Sequence, residues 1–135
     1  MATIIMETSY SNTGFCCACD LLPGWVVTGS GNFGEFKKEV KESIDFYLKC
    51  AKEDGDEYPA IFDTDYDITY HFDTQSLLAL YQGIFSFAAW ENITGINQKQ
   101  LSHYAAGRSK PRQPQVRKIA EGLHKLAEEL MSVTA

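Results

Sequence analysis

The sequence predicts an α+β protein with two parts, in which strands and one helix occupy the first half and helices alone the second. Glycine- and proline-containing turns separate short apolar runs up to residue 31, and beyond it apolar residues recur mainly at helical spacing. The charge also changes sign: residues 1–73 carry 14 acidic and 5 basic side chains, whereas residues 74–135 carry 4 and 7. We therefore expect two domains, 1–73 and 74–135, that differ in charge as well as in secondary structure.

Length and composition favour a folded protein of the cytoplasm. The chain has 135 residues, of which 44% are hydrophobic, which argues against disorder. No apolar run approaches the roughly 20 residues of a membrane span, and the first residues lack the pattern of a secretion signal. The four cysteines do not form a spaced disulfide framework, which fits a reducing compartment.

Three strands are predicted in the first 30 residues. The first covers residues 1–10 and contains the apolar run Ile4-Ile5-Met6, and the second covers residues 14–21. The turn-rich residues 11–14 join these two strands into a hairpin. After a Leu-Pro-Gly break, residues 25–28 provide the β-branched and aromatic side chains of a third strand.

One amphipathic helix and a fourth strand complete the first half. Apolar residues at steps of three and four predict the buried stripe of the helix: Phe36, Val40, Ile44, Tyr47, Leu48 and Ala51. Residues 65–73 then alternate between large apolar and polar side chains, as in a half-buried strand. The predicted order is therefore β-β-β-α-β, with a row of carboxylates from Asp65, Asp67 and Asp73 on an exposed face or edge of the sheet.

Three interpretations of Asp63, Asp65 and Asp67 remain open. They form a solvated acidic face, a docking surface for a basic partner protein, or the ligands of a magnesium ion in a nuclease. Adjacent carboxylates on a strand repel one another unless something positive neutralises them. The first two interpretations therefore need no bound cation inside the cluster, whereas a metal site does.

The first half also contains cysteines and a histidine that are candidate zinc ligands. Cys16 and Cys19 have the C-x-x-C spacing, but Cys50 and His71 make a poor second ligand pair for zinc. Since Cys17 and Cys19 share one strand face and Cys16 the other, we expect small buried hydrophobic residues instead. His71 as a general base lacks a nucleophile placed by a local motif, so we predict no catalytic residue.

Four helices are predicted in the second half. The first runs over residues 75–82 and the second over 87–92, and a tight turn at residues 94–96 needs Gly95 in the left-handed conformation. Asn97 caps the third helix, with Gln100 at the capping-box position. The fourth begins near Gln115 and directs six apolar side chains inward: Val116, Ile119, Leu123, Leu126, Ala127 and Leu130.

The third helix has one apolar and one polar face. Leu101, Tyr104 and Ala105 point inward, while glutamine, lysine, histidine and small side chains point outward. Such side chains read base edges in the major groove, and basic residues just past the helix contact phosphates. Between Lys99 and Lys118 there are six basic residues and no acidic one. The predicted DNA-binding residues are Gln98, Lys99, Gln100, Ser102, His103, Arg108, Lys110 and Arg112.

Residues 95–107, with the Lys110-Pro111 pair and the helical Ile-Ala-Glu-Gly-Leu at 119–123, resemble the repressor-type helix-turn-helix. The resemblance covers about forty residues. One position departs from the family: Glu91 stands where an alanine is usual, so we expect the crossing of the two helices to differ.

Together with the preceding β-β-β-α-β segment, the chain is similar to the HicB antitoxins, which combine a partial RNase H-like domain with a DNA-binding domain. The resemblance implies that the first domain neutralises a small basic ribonuclease toxin, HicA, and that the second represses the operon. The lead into the amphipathic helix, Gly31-Asn32-Phe33-Gly34, departs from the glycine-threonine-glutamate-alanine usual in the family.

The favoured function is thus a dimeric, cytoplasmic, non-enzymatic regulator that binds operator DNA and needs no cofactor. Two other functions remain open. A protein-interaction module without nucleic-acid contact would bind its partner with little dependence on salt. A nuclease with an RNase H-like site would need an aspartate in the middle of the first strand, where the sequence has Ile4-Ile5-Met6 and reaches Glu7 only at the end.

Overall fold

The computed structural model describes residues 1–135, which divide into two units, Met1–Asp73 and Thr74–Ala135. The first unit begins with three strands, β1 (Ala2–Ser11), β2 (Gly14–Ala18) and β3 (Val26–Gly29). They pair antiparallel in chain order. The second strand ends three residues before its predicted end, because the Leu22 N–H turns back to donate to the Cys19 carbonyl oxygen at 3.1 Å.

The amphipathic helix α1 (Phe33–Asp54) covers one face of this sheet. The Asn32 side chain accepts a hydrogen bond from the Glu35 N–H at 2.8 Å, which satisfies one of the free N–H groups at the helix start. Five positions of the predicted stripe are buried, and the sixth, Tyr47, is half-buried. Phe36 of this stripe stacks on Phe15 of β2 with ring centroids 4.8 Å apart, so the helix and the sheet share one aromatic core.

A short 3-10 helix (Ala60–Asp63) precedes the last strand, β4 (Tyr66–Phe72). The sheet order is β3-β2-β1-β4, and β4 pairs parallel with β1. The polar side chains of β4 are exposed and its apolar ones half-buried, as the alternation predicts. Asp63, grouped with Asp65 and Asp67 as a candidate partner-binding residue, lies in this 3-10 helix and not on the strand.

The second unit contains only helices: α2 (Thr74–Leu80), α3 (Phe87–Thr94), α4 (Gln98–Ala105) and α5 (Gln113–Met131). Their shared core consists of Leu78, Trp90, Ile96, Leu101, Tyr104 and Ile119. The chain as a whole is mixed α+β, as predicted. None of its helices combines the length and apolar character needed to cross a membrane.

The last helix packs closely on α3 through Gly122, where a Cβ atom would collide with the backbone carbonyl oxygen of Ile93. A glycine costs about 1 kcal/mol in a helix interior, but here it allows the two backbones to approach. The helix begins two residues earlier than predicted, since Pro114 fits its first turn. The prediction that Ala127 and Leu130 point into the core is wrong, because α5 extends beyond the core and leaves both exposed.

Candidate functional site

A three-residue turn connects α3 to α4. Gly95 has φ 76°, which confirms the left-handed conformation predicted for it, and its N–H donates to the Glu91 carbonyl oxygen at 2.7 Å. The Thr94 hydroxyl donates to the Trp90 carbonyl oxygen at 2.7 Å and accepts from the Ile96 N–H at 3.1 Å. Since Trp90 and Ile96 are core residues, these bonds tie the start of α4 to the core.

Two side chains cap the N-terminus of α4. Asn97, predicted as the cap, accepts a hydrogen bond from the Lys99 N–H at 2.8 Å. Glu91 accepts from the Gln98 N–H at 3.1 Å and from the Gln98 side-chain amide at 3.4 Å. The negative charge of Glu91 thus lies at the positive end of the helix dipole and orients Gln98. The sequence shows Glu91 as a departure from the family pattern, but it gives no sign that Glu91 caps α4.

The inner face of α4 is formed as predicted by Leu101 and Tyr104, which are buried, while Ala105 is only half-buried. On its other sides Gln98 and Lys99 are exposed, and Ser102 and His103 are half-buried. A surface that includes all four is accessible to a ligand and offers amide, ammonium, hydroxyl and imidazole groups. This set of groups suits the edges and phosphates of a duplex.

Gln100 does not complete the capping box that was predicted at the start of α4. It is half-buried, and its amide donates to the Ser109 hydroxyl at 3.3 Å in the loop after the helix. The start of α4 is capped by Asn97 and Glu91 instead. Gln100 therefore holds the following loop against α4, in addition to the base contact predicted for it.

Three basic side chains lie exposed in the connection from α4 to α5: Arg108, Lys110 and Arg112. The Arg108 N–H bonds back to the His103 carbonyl oxygen at 3.0 Å, so this residue stays next to the end of α4. All three salt bridges of the chain lie in the first unit. No carboxylate of the chain is therefore paired with the cations of this connection, and they are available to an anionic ligand.

The three aspartates predicted to bind a partner have different surroundings. Asp63 accepts a hydrogen bond from the Tyr58 hydroxyl at 2.9 Å and lies 4.0 Å from the Lys52 ammonium. This hydrogen bond raises the pKa of Tyr58. Asp65 precedes β4, and Asp67 projects from its exposed face. The structure brings together no group of three or more His, Cys, Asp or Glu side chains that could hold a metal ion.

Two depressions of the first unit were not predicted. One, of about 530 Å³, lies between α1 and β4 and is lined by three lysines and two aspartates. The other, of about 330 Å³, lies on the exposed face of the sheet. It contains His71, whose Nδ1 lies 2.7 Å from a Glu7 carboxylate oxygen on the neighbouring strand. Only the parallel register of β1 and β4 brings these two residues together.

The cysteines are distributed as the strand alternation predicts. Cys17 and Cys19 are buried, Cys16 is exposed, and Cys50 is half-buried on α1. Burial, reinforced by the neighbouring thiols of Cys16 and Cys19, raises the pKa of Cys17 to about 12. A thiol with that pKa stays protonated at neutral pH, so Cys17 is a poor nucleophile and a poor metal ligand.

Comparison with known proteins adds no family to these observations. No protein-family model matches the chain, and no curated protein or solved structure matches it at a significant level.

Proposed function

We propose that the chain is a DNA-binding transcriptional regulator of the HicB antitoxin type, acting as a homodimer or higher oligomer in the cytoplasm. The observation that carries the proposal is the surface of α4 and the loop after it. Gln98 and Lys99 are exposed at the helix start, and three unpaired cations follow the helix. Side chains for base edges and charges for phosphates therefore lie next to each other on a well-anchored element.

The short turn between α3 and α4 supports the helix-turn-helix assignment. Three residues separate the two helices, and Leu101 and Tyr104 anchor α4 to the same core as Trp90 of α3. A helix held in this way can enter a major groove without losing its orientation.

For the first unit we propose that it neutralises a small, basic, HicA-like ribonuclease toxin. The element order β-β-β-α-β agrees with the resemblance to a partial RNase H-like domain. Asp65 and Asp67 are exposed and have no salt-bridge partner, so they are the carboxylates best placed for a basic protein. Asp63 belongs to the same proposed surface, but a partner would have to compete with Tyr58 and Lys52 for it.

The DNA proposal is tested by gel shift on the region upstream of the protein's own gene. The double variant Gln98→Ala/Lys99→Ala should bind at least tenfold more weakly, since a bidentate base contact is worth about 1–3 kcal/mol. It should also reduce the slope of log affinity against log salt by about 1, because one phosphate contact is lost.

A matched control, Gln82→Ala/Lys49→Ala, removes the same two side-chain types at exposed positions elsewhere. It should bind DNA like the wild type. Equal affinity of both double variants would reject the assignment of α4. Binding of a protein partner that is insensitive to salt, with no binding to DNA, would favour an interaction module instead.

The toxin proposal is tested separately by co-purification with the product of the adjacent gene, using the full chain. A small basic ribonuclease should co-purify, and Asp65→Asn/Asp67→Asn should weaken its retention at low salt while leaving DNA binding unchanged. Magnesium-dependent nuclease activity of the chain alone, lost on Asp65→Asn, would overturn the non-enzymatic assignment.

A further inference from the structure

Glu91, near the end of α3, contacts the first residue of α4 through both oxygens of its carboxylate. One oxygen accepts a hydrogen bond from the Gln98 backbone N–H at 3.1 Å, and the other accepts from the Gln98 side-chain nitrogen at 3.4 Å. Glu91 is half-buried, whereas Gln98 is exposed. One half-buried carboxylate thus holds both the main chain and the side chain of an exposed residue at the start of α4.

This contact determines which way the Gln98 amide is turned. An ionised carboxylate only accepts hydrogen bonds, whereas a glutamine amide has a donor nitrogen at one end and an acceptor oxygen at the other. Turning the amide over would bring its oxygen against the Glu91 carboxylate, where two acceptors repel each other. The oxygen of Gln98 and the second hydrogen of its nitrogen are therefore the groups left for a ligand.

An acceptor and a donor side by side match the major-groove edge of adenine. Adenine presents its N6 amino group as a donor and N7 as an acceptor, and a glutamine amide binds both together. Guanine presents two acceptors, O6 and N7, at the same edge. With the amide held by Glu91, guanine O6 would face the Gln98 oxygen, and no hydrogen bond would form between these two acceptors.

We propose that Glu91 is a positioning residue for base recognition, which holds Gln98 in the orientation that binds adenine and disfavours guanine. This role rests on the proposed DNA-binding function, and it adds a base preference that the exposed side chains of α4 do not set alone. The preference has a repulsive as well as an attractive component. Phosphate contacts by the cations after α4 carry no sequence information and do not depend on Glu91.

Gel shifts of the full chain on paired duplexes test this role. The wild-type chain first selects duplexes from a randomised library, and each A·T pair of the selected site is then exchanged for G·C. Exchange of one adenine for guanine should weaken binding about tenfold or more, which is the discrimination that a bidentate base contact provides. Gln98→Ala should remove this preference and thereby identify the base pair that Gln98 contacts.

Glu91→Ala should lower the adenine-to-guanine preference at the same base pair to about threefold or less, because the amide is then free to turn. A loss of stability alone would weaken binding to both duplexes alike and leave their ratio unchanged. Glu91→Gln keeps an acceptor for the Gln98 N–H but can also donate to the turned amide. It should therefore lose the preference although α4 remains capped.

Glu121→Ala, which removes an exposed negative charge from α5, is the matched control and should keep the preference. In a Gln98→Ala background, Glu91→Ala should not change the ratio further, because the two residues act as one unit.

A wild-type ratio in Glu91→Ala or Glu91→Gln would overturn the positioning role. So would an effect of Glu91→Ala that persists without Gln98, or a selected site at which Gln98→Ala changes no base preference. In these three cases the chain still binds DNA, so the proposed function stands. A wild-type chain that selects no duplex would overturn the proposed DNA-binding function and this role with it.

Discussion

The two units differ in how far their basic side chains are paired with carboxylates. In the first unit, two of the five lysines and the one histidine form salt bridges: Lys41 with Asp45, Lys52 with Asp63, and His71 with Glu7. In the second unit the cations of α4 and of the loop that follows take part in no salt bridge. A charge that is paired within its own domain contributes less to binding than an unpaired one, since a ligand has to replace the existing partner.

Net charge is therefore a poor guide to where a ligand would bind this protein. The chain carries −6, yet four exposed cations that form no salt bridge lie close together in sequence, on α4 and in the connection after it: Lys99, Arg108, Lys110 and Arg112. In the first unit three carboxylates take part in salt bridges, whereas Asp65 and Asp67, before and within β4, are exposed and take part in none.

The largest effects are expected from a pair of core substitutions that test whether the two units are separate. Ile44→Ala in the first unit and Leu101→Ala in the second each remove a side chain that is 0% exposed. Each should destabilise its own unit by about 2–5 kcal/mol. Trp25 and Trp90 provide one buried indole in each unit, so their N–H resonances report the two urea transitions in one sample.

Each substitution should shift the urea midpoint of its own indole and leave the other in place. If both midpoints moved together after either substitution, the units would unfold as one. They would then differ in charge but not in their response to urea.

An intermediate effect is expected from alkaline pH, which should destabilise the first unit selectively. The pKa of Cys17 is raised to about 12 from an ordinary 9.0, first by burial and then by the adjacent thiols. Between these values the unfolded chain loses the thiol proton while the folded unit keeps it. Stability is thus fully present below pH 9 and falls above it by up to about 1.4 kcal/mol per pH unit.

The urea midpoint of the Trp25 resonance, compared between pH 8 and pH 10, measures this loss. Burial also raises the pKa of Tyr70 to about 12, which adds a loss of the same sign above its ordinary value of 10.0. Cys17→Ala should reduce the pH dependence, whereas Cys16→Ser, which removes only a secondary cause of the raised pKa, should reduce it much less. An unchanged slope in Cys17→Ala would show that the buried thiol is not its source.

The smallest effect concerns Glu91, an acidic residue of the basic unit. Glu91→Ala should destabilise this unit by about 0.5–1.5 kcal/mol, because the Gln98 N–H loses its acceptor and the helix dipole loses a favourable charge. Glu91→Gln keeps an acceptor and should recover part of the loss. The urea midpoint of the Trp90 resonance measures both variants.

Glu121→Ala, at an exposed position of α5, is the control for removing a negative charge from the same unit. If it lowered the midpoint as much as Glu91→Ala does, the effect would come from net charge and not from capping of α4.

Features that depend on local sequence were predictable to a large extent. The buried stripe of α1, the alternation of β4 and the left-handed Gly95 follow from periodicity and backbone sterics within a few residues. Element ends were less accurate: β2 stops early at Ala18, and α5 starts early at Gln113. The end of β2 depends on a hydrogen bond in the following turn, and the start of α5 depends on a proline that fits the first helical turn. The apolar pattern of the neighbouring residues, from which the ends were predicted, does not indicate either feature.

The sequence by itself determined which faces of α1, β4 and α4 are apolar, and where the cations of the second unit concentrate, because these properties belong to neighbouring residues. Only the tertiary structure decided that His71 meets Glu7, that Asp63 is engaged by Tyr58 and Lys52, and that Glu91 caps α4. It also decided that α5 extends beyond the core of the second unit and leaves Leu130 exposed. Such contacts join residues from different elements, and strand register and helix packing set their distances, which no local pattern encodes.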